Sequence, residues 1–324
     1  MRFIIYGAGA VGGVIGGRLF EHGHDVVLIA RGAHLAAIRE NGLTVLSPAG
    51  SVMVAVPAVG APREVDFRGG DIVILAMKTQ DTEPALAELL AAAGDQVPVV
   101  CAQNGVENER RAARRFANVY GMPVRLPATH LEPGLVQADS SPWSGVLDIG
   151  RYPDGIDEVA IGVTAALAAS TFSATAEPRV MRHKYQKLLM NLGNGIDAAL
   201  GSSGGGRDLG RRAREEALAC YTAAGIDCAS DEEDRVRRGS FIQIGEIGGQ
   251  RRKGGSTWQS LARGRPDVEV DYLNGEIVLL GRQHGVPAPV NAGLQRVANR
   301  LARQGAAAGS MTEEELVREV MRAP

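Results

Sequence analysis

Six residues near the start of the chain, GAGAVG at positions 7–12, constrain its fold more than any other stretch. They match the pattern G-x-G-x-x-G, which on its own is weak evidence because any glycine-rich turn can produce it. Here the pattern directly follows the apolar segment RFIIY at 2–6 and opens a segment suited to a helix that ends at about Glu21. A glycine turn between a strand and a helix is typical of a dinucleotide-binding βαβ unit.

Each glycine of this pattern has an expected task. Gly7 would permit a tight turn, Gly9 would let the backbone approach a pyrophosphate, and Gly12 would let the helix pack closely on the sheet. The amino terminus of the helix would then direct unpaired N–H groups at the phosphates. The predicted coenzyme-binding residues of the turn are therefore Gly7, Ala8, Gly9, Ala10, Val11 and Gly12.

The pattern of apolar segments predicts an α/β fold. Three further apolar runs alternate with helical segments such as 82–93, and continuous runs of this kind suit strands buried on both faces of a parallel sheet. The runs are 25–30, 71–78 and 98–105, followed by short strands near 124–130, 134–138 and 146–150 and a helix at 155–169. After Pro178 the chain is helical. We expect an N-terminal Rossmann-type doubly wound sheet in residues 1–177 and a C-terminal all-helical domain in residues 178–324.

Composition and charge exclude several classes of function. A net charge of about −2 over 324 residues provides no general attraction for nucleic acid or an anionic membrane. No transmembrane segment or signal peptide is recognised, and three cysteines without zinc-like spacing predict reduced thiols, no metal site and a cytoplasmic protein. The expected partner is a small molecule. The oligomeric state stays open, with a homodimer as one option.

Arg31 indicates which dinucleotide would bind. Sites for NAD usually place Asp or Glu after the second strand, where it binds the ribose 2′-OH. Here the second strand is followed by Arg31, and no acid occurs until Glu40. Because a guanidinium suits a 2′-phosphate, the sequence favours a role for Arg31 in binding the 2′-phosphate of NADPH/NADP+. The alternative is that Arg31 is an ordinary exposed arginine.

Lys78 and Asn104 follow two of the predicted strands. Ligands of open parallel sheets lie at the carboxyl ends of the strands, so both side chains are candidates for a ligand site. A lysine at the end of an apolar strand can equally extend to water. Position alone does not decide between these two interpretations.

The segment QKLLMNLGNG at 186–195 combines an apolar helix with a polar face. Lys187, Asn191 and Asn194 are spaced i, i+4 and i+7, which predicts that they share one face of a single helix. Unpaired polar groups are costly to bury, so this face should meet something polar.

Six segments in this order resemble the ketopantoate reductase family (2-dehydropantoate 2-reductase) over nearly the whole chain. They are GAGAVG (7–12), MK (77–78), QNGVEN (103–108), KLLMN (187–191), STWQSLARGRP (256–266) and VEVDYLNGEIV (268–278). The resemblance implies a Rossmann domain, a helical domain and a cleft between them, in which NADPH reduces the ketone of 2-dehydropantoate to (R)-pantoate, a precursor of pantothenate.

The resemblance also implies roles for individual residues. Lys187 would be the catalytic general acid and Glu269 its paired glutamate, while Lys78 and Asn104 would line the nicotinamide end of the site. The substrate-binding residues would be Asn191, Asn194, Ser256 and Asn104. An ammonium group can stabilise a developing alkoxide and supply its proton, which is the chemistry that ketone reduction needs.

Other interpretations of these residues remain open at the level of sequence. Glu269 follows Pro266 in the first turn of a predicted helix, where acids are common. Ser256 could be the N-cap of a helix beginning at Thr257, and Lys187 could extend to water at a helix end.

The sequence also departs from the family pattern. The family often has a second asparagine where this chain has Gly195, and Asn194 is the candidate to replace it. The basic, glycine-rich stretch within 244–256 could be a lid that brings Arg251, Arg252 or Lys253 to an anionic substrate, or a plain loop. Two alternatives to 2-dehydropantoate reduction follow: a paralogue that reduces another small 2-oxo acid, and a non-catalytic NADP(H)-binding regulatory protein.

Overall fold

The computed structural model describes residues 1–201, 205–264 and 266–322, which form two compact units. Unit 1 consists of residues 1–184 and 230–252, and unit 2 of residues 185–229 and those described from Lys253 onward. The sequence suggested a single division after residue 177. In the structure, unit 1 also contains a second piece of chain, residues 230–252, which we call the returning segment.

The secondary structure agrees with the expected α/β class. The strands are β1 (Arg2–Tyr6), β2 (Asp25–Ile29), β3 (Leu43–Ser47), β4 (Gly50–Val54), β5 (Ala58–Val59), β6 (Asp71–Leu75), β7 (Val99–Cys101), β8 (Val119–Gly121), β9 (Val124–Arg125), β10 (Ala128–Thr129), β11 (Leu135–Ala138), β12 (Gly145–Leu147), β13 (Gly150–Arg151) and β14 (Phe172–Ser173). The helices are α1 (Ala10–Glu21), α2 (Gly32–Asn41), α3 (Thr82–Ala93), α4 (Asn108–Ala112), α5 (Glu158–Ala168), α6 (Val180–Asn191), α7 (Asn194–Leu200), α8 (Arg207–Ala223), α9 (Asp231–Arg238), α10 (Ser256–Ala262), α11 (Asn274–His284), α12 (Pro289–Arg303) and α13 (Glu313–Met321).

The main sheet of unit 1 has seven strands in the order β13-β8-β7-β6-β1-β2-β5. All neighbouring pairs are parallel except β13 with β8. The register pairs Tyr6 with Ile29 on one side and with Leu75 on the other, so β1, β2 and β6 end at the same edge. From β1 the chain adds β2 and later β5 on one side, and then crosses back to add β6 on the other side of β1. Open α/β sheets bind their ligands at such a reversal of strand order.

Alternating side chains of the central strand serve two cores. Phe3 and Ile5 pack in a cluster with Val14 and Ile15 of α1, whereas Ile4 packs in a second cluster on the opposite face with residues of α3. Helices therefore cover both faces of the sheet, and the predicted doubly wound architecture is confirmed.

Helix α1 lies between two sheets, and its glycines explain how. A Cβ added at Gly16 would lie 2.6 Å from Leu28 Cδ2 of the main sheet. A Cβ added at Gly17 would lie 2.6 Å from Val45 Cγ2 of the four-stranded sheet β10-β11-β3-β4. Glycine costs up to about 1 kcal/mol relative to alanine in a helix, but here it permits close contact on two sides.

Some expected strands are shorter in the structure, and one hairpin was not anticipated. The apolar runs 71–78 and 98–105 form strands only as far as Leu75 and Cys101, and their remaining residues turn away as loops. The antiparallel pair β3 and β4 lies in a part of the chain for which the sequence predicted no strands.

The described residues of unit 2 form only helices and their connections, which confirms the expected C-terminal class. A capping box formed by Thr312 and Glu315 opens α13. The sequence after residue 178 has two glycine-rich stretches, 201–210 and 244–256. Residues 207–210 belong to α8, residues 202–204 lie outside the described residues, and 244–256 is mostly irregular. Among the helices described, none has both the length and the apolar character needed to cross a membrane.

Candidate active site

The glycine turn lies at the edge where β1 and β6 end. Gly7 has φ of +102°, and a Cβ there would lie 2.7 Å from the backbone nitrogen of Met77. A Cβ at Gly12 would lie 2.2 Å from the carbonyl oxygen of Gly7, so α1 can start this close to the sheet only with glycine. A Cβ at Gly9 would meet nothing within 4 Å. The backbone around Gly9 is therefore open on the side where a pyrophosphate would approach, and the turn fits a dinucleotide.

His34, which the sequence did not single out, holds this turn in place. Its Nε2 lies 2.7 Å from the carbonyl oxygen of Ala8, and its Nδ1 accepts a hydrogen bond from the backbone N–H of Gly134 at 2.9 Å. These two bonds require the neutral ring with its proton on Nε2. Burial, together with neighbouring His130, lowers the pKa of His34 to about 4. The histidine thus connects the turn to the loop before β11.

Arg31 is exposed and is the N-cap residue of α2. It lies near the hydroxyl of Tyr6, which donates a hydrogen bond to Glu88 Oε2 at 2.9 Å. Burial and the Glu88 carboxylate together raise the pKa of Tyr6 to about 12, against the opposing effect of Arg31. An exposed guanidinium at this edge can contact an anionic group without being buried in the core.

Lys78 and Asn104 lie in the loops that follow β6 and β7. The side chain of Gln103 is buried, and its Nε2 donates to the carbonyl oxygen of Met77 at 2.9 Å. This bond joins the residue before Lys78 to the residue before Asn104. Lys78 is half-buried at the start of a 3₁₀ turn, Thr79–Asp81.

Buried amides and hydroxyls make the connection between these loops stronger. Asn108 Nδ2 donates to Thr79 Oγ1 at 3.1 Å, and Thr82 Oγ1 donates to Asn108 Oδ1 at 2.9 Å. Gln103 Nε2 also donates to Thr82 Oγ1 at 2.8 Å. These bonds tie the two loops together, although Gln103 Oε1 accepts no hydrogen bond among the described residues.

The helix that carries Lys187 ends earlier than expected. Lys187 is half-buried within α6, and Asn191 is its last residue, whereas Asn194 begins α7. The expectation that all three lie on one face of one helix is therefore wrong for Asn194. The physical reason is that Asn274 Nδ2 donates to the carbonyl oxygen of Leu192 at 3.1 Å and satisfies a group that would otherwise continue the helix.

Asn191 is buried with one polar atom unsatisfied. The residue is 4% exposed, and its Oδ1 accepts no hydrogen bond among the residues that the structure describes. A buried acceptor without a donor is uncommon and calls for a partner such as water or a ligand.

Asn194 and Ser256, predicted separately as substrate-binding residues, lie together in unit 2. Asn194 Nδ2 donates to Ser256 Oγ at 3.3 Å. Ser256 is the first residue of α10, whose N-cap is Gly255, so the alternative that Ser256 caps a helix starting at Thr257 is wrong. A Cβ at Gly195 would face α12, 3.7 Å from Ala298 Cβ. Asn194, and not position 195, is therefore the position that adjoins Ser256.

Glu269 differs in its surroundings from the acids beside it. It is 4% exposed in a 3₁₀ turn, Glu269–Tyr272, whereas Asp271 is exposed and accepts hydrogen bonds from Gln295 and Asn299. The regular helix α11 begins only at Asn274. Since glutamate is rarely buried without a specific reason, burial singles out Glu269 where sequence position did not.

Two of the three basic residues in the 244–256 stretch have acidic partners in unit 1. Arg251 is exposed and lies 3.2 Å from Glu246, while Arg252 is mostly buried and lies 3.2 Å from Asp139. Burial lowers the pKa of Arg252 and raises that of Asp139. In the described ranges, no group of three or more His, Cys, Asp or Glu side chains could hold a metal ion.

Comparisons with known proteins match both halves of the chain to one family. The family model described as "Ketopantoate reductase PanE/ApbA" matches residues 3–154, and "Ketopantoate reductase PanE/ApbA C terminal" matches residues 179–302. The chain belongs to the ketopantoate reductase family. The first match includes the glycine turn, Lys78 and Asn104, and the second includes Lys187 and Glu269.

Individual relatives agree with this family assignment. The 2-dehydropantoate 2-reductase of Halobacterium salinarum is 28% identical over 306 residues, which are 93% of this chain and 99% of that protein. A PanE/ApbA family ketopantoate reductase from Ralstonia eutropha has a TM-score of 0.79 at 29% identity and covers 94% of this chain and 99% of its own. This ketopantoate reductase family member is thus an oxidoreductase.

One further structure is similar in fold. D-mandelate dehydrogenase, solved as a ternary structure with NADH and anilino(oxo)acetate, has a TM-score of 0.81 at 23% identity, over 94% of this chain and 99% of that chain. At this identity the similarity concerns the fold alone.

Proposed function

We propose that the protein catalyses the NADPH-dependent reduction of a 2-oxo acid, with 2-dehydropantoate as substrate and (R)-pantoate, the precursor of pantothenate, as product. The observation that carries the proposal is the family match over both halves of the chain, within which Lys187, Asn191, Ser256 and Glu269 all occur. A protein that only senses the coenzyme would need no proton donor, so this set favours an enzyme over a regulatory binder.

In this proposal the coenzyme pyrophosphate binds at the glycine turn. The open backbone at Gly9 and the amino terminus of α1 supply N–H groups for it. Arg31 binds the 2′-phosphate through a charge-assisted contact. Lys78 and Asn104 bind at the nicotinamide end, where the buried network behind them reduces the cost of ordering their loops.

When bound, NADPH supplies a hydride to the ketone carbon of the substrate. The ammonium of Lys187 stabilises the negative charge that develops on the ketone oxygen and donates a proton to it. The C=O π bond is replaced by a C–H and an O–H bond, and NADPH is oxidised to NADP+. Glu269 stabilises the charged form of Lys187 by its own negative charge.

Three neutral side chains bind the substrate without adding charge. The unsatisfied Oδ1 of Asn191 can accept a hydrogen bond from a substrate hydroxyl. Asn194 and Ser256 are already adjacent and can donate to a carboxylate. Asn194 takes the place of the second asparagine that the family often has.

The test follows the absorbance of NADPH during incubation with a panel of 2-oxo acids that includes 2-dehydropantoate. Rapid oxidation with 2-dehydropantoate, and slower oxidation with the others, is the expected outcome. Activity restricted to other acids would favour a paralogous reductase and contradict the substrate proposed here. Coenzyme binding without turnover of any acid would favour the regulatory binder and contradict the enzymatic proposal.

A further inference from the structure

A buried ion pair in unit 1 contacts the backbone immediately before Asn104. The side chain of Lys184 on α6 is 2% exposed, and that of Glu109 on α4 is fully buried. The ammonium of Lys184 donates a hydrogen bond to Glu109 Oε1. Lys184 precedes Lys187 by three residues, but its contacts are within unit 1 and the family resemblance assigns it no role.

The remaining donors of Lys184 reach the backbone near Asn104. Its Nζ donates to the carbonyl oxygen of Gln103 at 3.0 Å and lies 3.5 Å from the carbonyl oxygen of Cys101. An ammonium has three protons, so these three acceptors use all of them. The Gln103 carbonyl belongs to the peptide group that joins Gln103 to Asn104.

The peptide group on the other side of Asn104 is held as well. Asn108 Nδ2 donates to the carbonyl oxygen of Asn104 at 3.1 Å. Both peptide groups that flank Asn104 therefore accept hydrogen bonds from buried side chains, which fixes the backbone from which the Asn104 side chain projects.

The ion pair is not explained by stability alone. Removing two charges from water is costly, and well-packed apolar replacements of buried ion pairs are often neutral or stabilising. Glu109 bears part of this cost, because burial raises its pKa and its Oε2 has no hydrogen-bond partner among the described residues. An arrangement that adds little net stability, yet holds one particular carbonyl, points to positioning.

We propose that Lys184, held in place by Glu109, is a positioning residue that fixes the Gln103–Asn104 peptide so that Asn104 is set for the nicotinamide end of the coenzyme. Lys184 acts through Asn104 and does not itself touch coenzyme or substrate. The inference rests on the proposed function, which supplies the role of Asn104 at the nicotinamide end.

Two variants separate positioning from stability. Lys184→Met leaves the Glu109 carboxyl buried and alone, while Lys184→Met/Glu109→Leu replaces the whole pair by apolar side chains. Both remove the hydrogen bond to the Gln103 carbonyl, but the double variant should be the more stable. A conservative variant, Glu109→Gln, keeps an acceptor for Lys184 and so keeps the bond to the Gln103 carbonyl.

The matched control is an ion pair at the opposite edge of the same sheet. Arg2 and Asp71, in contact at 2.7 Å, lie at the starts of β1 and β6. The double variant Arg2→Met/Asp71→Leu should change the unfolding temperature without changing kcat/KM for the 2-oxo acid.

Three quantities are measured for each variant: the unfolding temperature, kcat/KM, and the Kd of NADPH relative to that of 2′-phospho-ADP-ribose, which lacks the nicotinamide. We expect both Lys184 variants to lose about tenfold or more in kcat/KM and about tenfold in affinity for NADPH. Their affinity for 2′-phospho-ADP-ribose should stay within about twofold of wild type. Glu109→Gln should lower the unfolding temperature, because it leaves the Lys184 charge without a counter-charge, but should keep kcat/KM and both Kd values within about threefold of wild type.

Other outcomes overturn the inference. A folded double variant with wild-type kcat/KM and NADPH affinity would show that the ion pair does not position Asn104. A folded Glu109→Gln variant that loses as much as Lys184→Met would contradict anchoring through the Gln103 carbonyl, and this variant decides the matter if the double variant does not fold. If the wild-type protein reduces no 2-oxo acid, the proposed function fails, but the ratio of the two Kd values still decides whether Lys184 positions Asn104.

Discussion

Lys187 is the proton donor of the proposed reaction, so its substitution gives the most direct prediction at the scale of single residues. Lys187→Ala should lower kcat by at least about 100-fold, because the general acid is lost, while NADPH affinity stays near normal. Steady-state turnover and fluorescence titration with NADPH measure the two quantities. Met190→Ala, an exposed position on the same helix, serves as the control and should keep wild-type kcat. Unchanged turnover in Lys187→Ala would remove this residue from the mechanism.

Arg31 should decide between the two nicotinamide coenzymes. Arg31→Ala should weaken NADPH binding by about tenfold or more through loss of a charge-assisted contact, and leave NADH binding nearly unaffected. Titrating wild type and variant with both coenzymes at one salt concentration measures this. An equal loss for NADPH and NADH would refute the assignment of the 2′-phosphate to Arg31.

His34 should make stability depend on pH on the acid side of neutrality. Its pKa is lowered from an ordinary value of about 6.5 to about 4, so the unfolded chain takes up a proton that the folded protein resists. The free energy of unfolding should therefore fall as the pH is lowered from about 6.5 toward about 4. Urea unfolding across this range should show a weaker pH dependence in His34→Gln than in wild type. His22→Gln, at an exposed position, should behave as wild type, and the same slope for all three proteins would contradict the prediction.

The sequence identifies individual residues of the site only where they belong to a local sequence pattern. The i, i+4 spacing of Lys187 and Asn191, and the family resemblance, single these two out. His34 and Lys184 could not be found in this way, because their partners are backbone carbonyls 26 and 81 residues away, and only the fold brings them together.

Helix α1 shows what the glycines of an element contribute separately. Gly16→Ala would place a Cβ 2.6 Å from Leu28 Cδ2, so it should destabilise the protein by about 1–3 kcal/mol despite the better helix propensity of alanine.

Gly9→Ala meets no neighbour and should leave the unfolding temperature nearly unchanged. It should instead weaken NADPH binding by at least about tenfold, because its Cβ occupies the approach of the pyrophosphate. Thermal unfolding and NADPH titration of both variants measure these effects, and coenzyme binding at wild-type strength in Gly9→Ala would contradict the role of the turn.

Elements with a strong periodic signal agree between sequence and structure, and those set by distant contacts do not. Strand β1, helix α1 and helix α3 follow from continuous apolar runs and the glycine turn. The break between α6 and α7 does not, because it depends on a bond from Asn274 to the Leu192 carbonyl, 82 residues distant in sequence. The hairpin of β3 and β4 packs its buried positions against α1 and β11, and that packing is set by the fold.

At the scale of the whole molecule, the returning segment is fixed to unit 1 by buried charge. Asp234 on α9 is 1% exposed and accepts hydrogen bonds from Arg125 Nε and Arg238 Nε, each at 2.6 Å. Arg237 of the same helix pairs with buried Asp148. The sequence did not predict this return, since α9 reads as one more helix of the C-terminal half.

Breaking the buried pair should therefore destabilise the protein far more than breaking an exposed pair on the same helix. Asp234→Asn removes the carboxylate that is hydrogen-bonded to buried Arg125 and leaves it only Asp148 at 4.0 Å, so it should cost about 3–5 kcal/mol. Glu233→Gln, which weakens an exposed pair with Arg182, should cost less than about 1 kcal/mol. Urea unfolding of both variants tests this comparison, and equal losses would argue against anchoring by Asp234.

The return of residues 230–252 also affects the order in which the protein forms during translation. Residue 252, the last that unit 1 requires, follows Lys184 by 68 residues. At about 5–20 residues per second, the ribosome supplies it about 3–14 s after Lys184. Asp234, the partner of Arg125, is supplied about 3–10 s after Lys184 at the same rate. Unit 1 therefore cannot mature as soon as its first 184 residues emerge. Protease digestion of stalled nascent chains would register this as protection that begins only after the returning segment has left the exit tunnel.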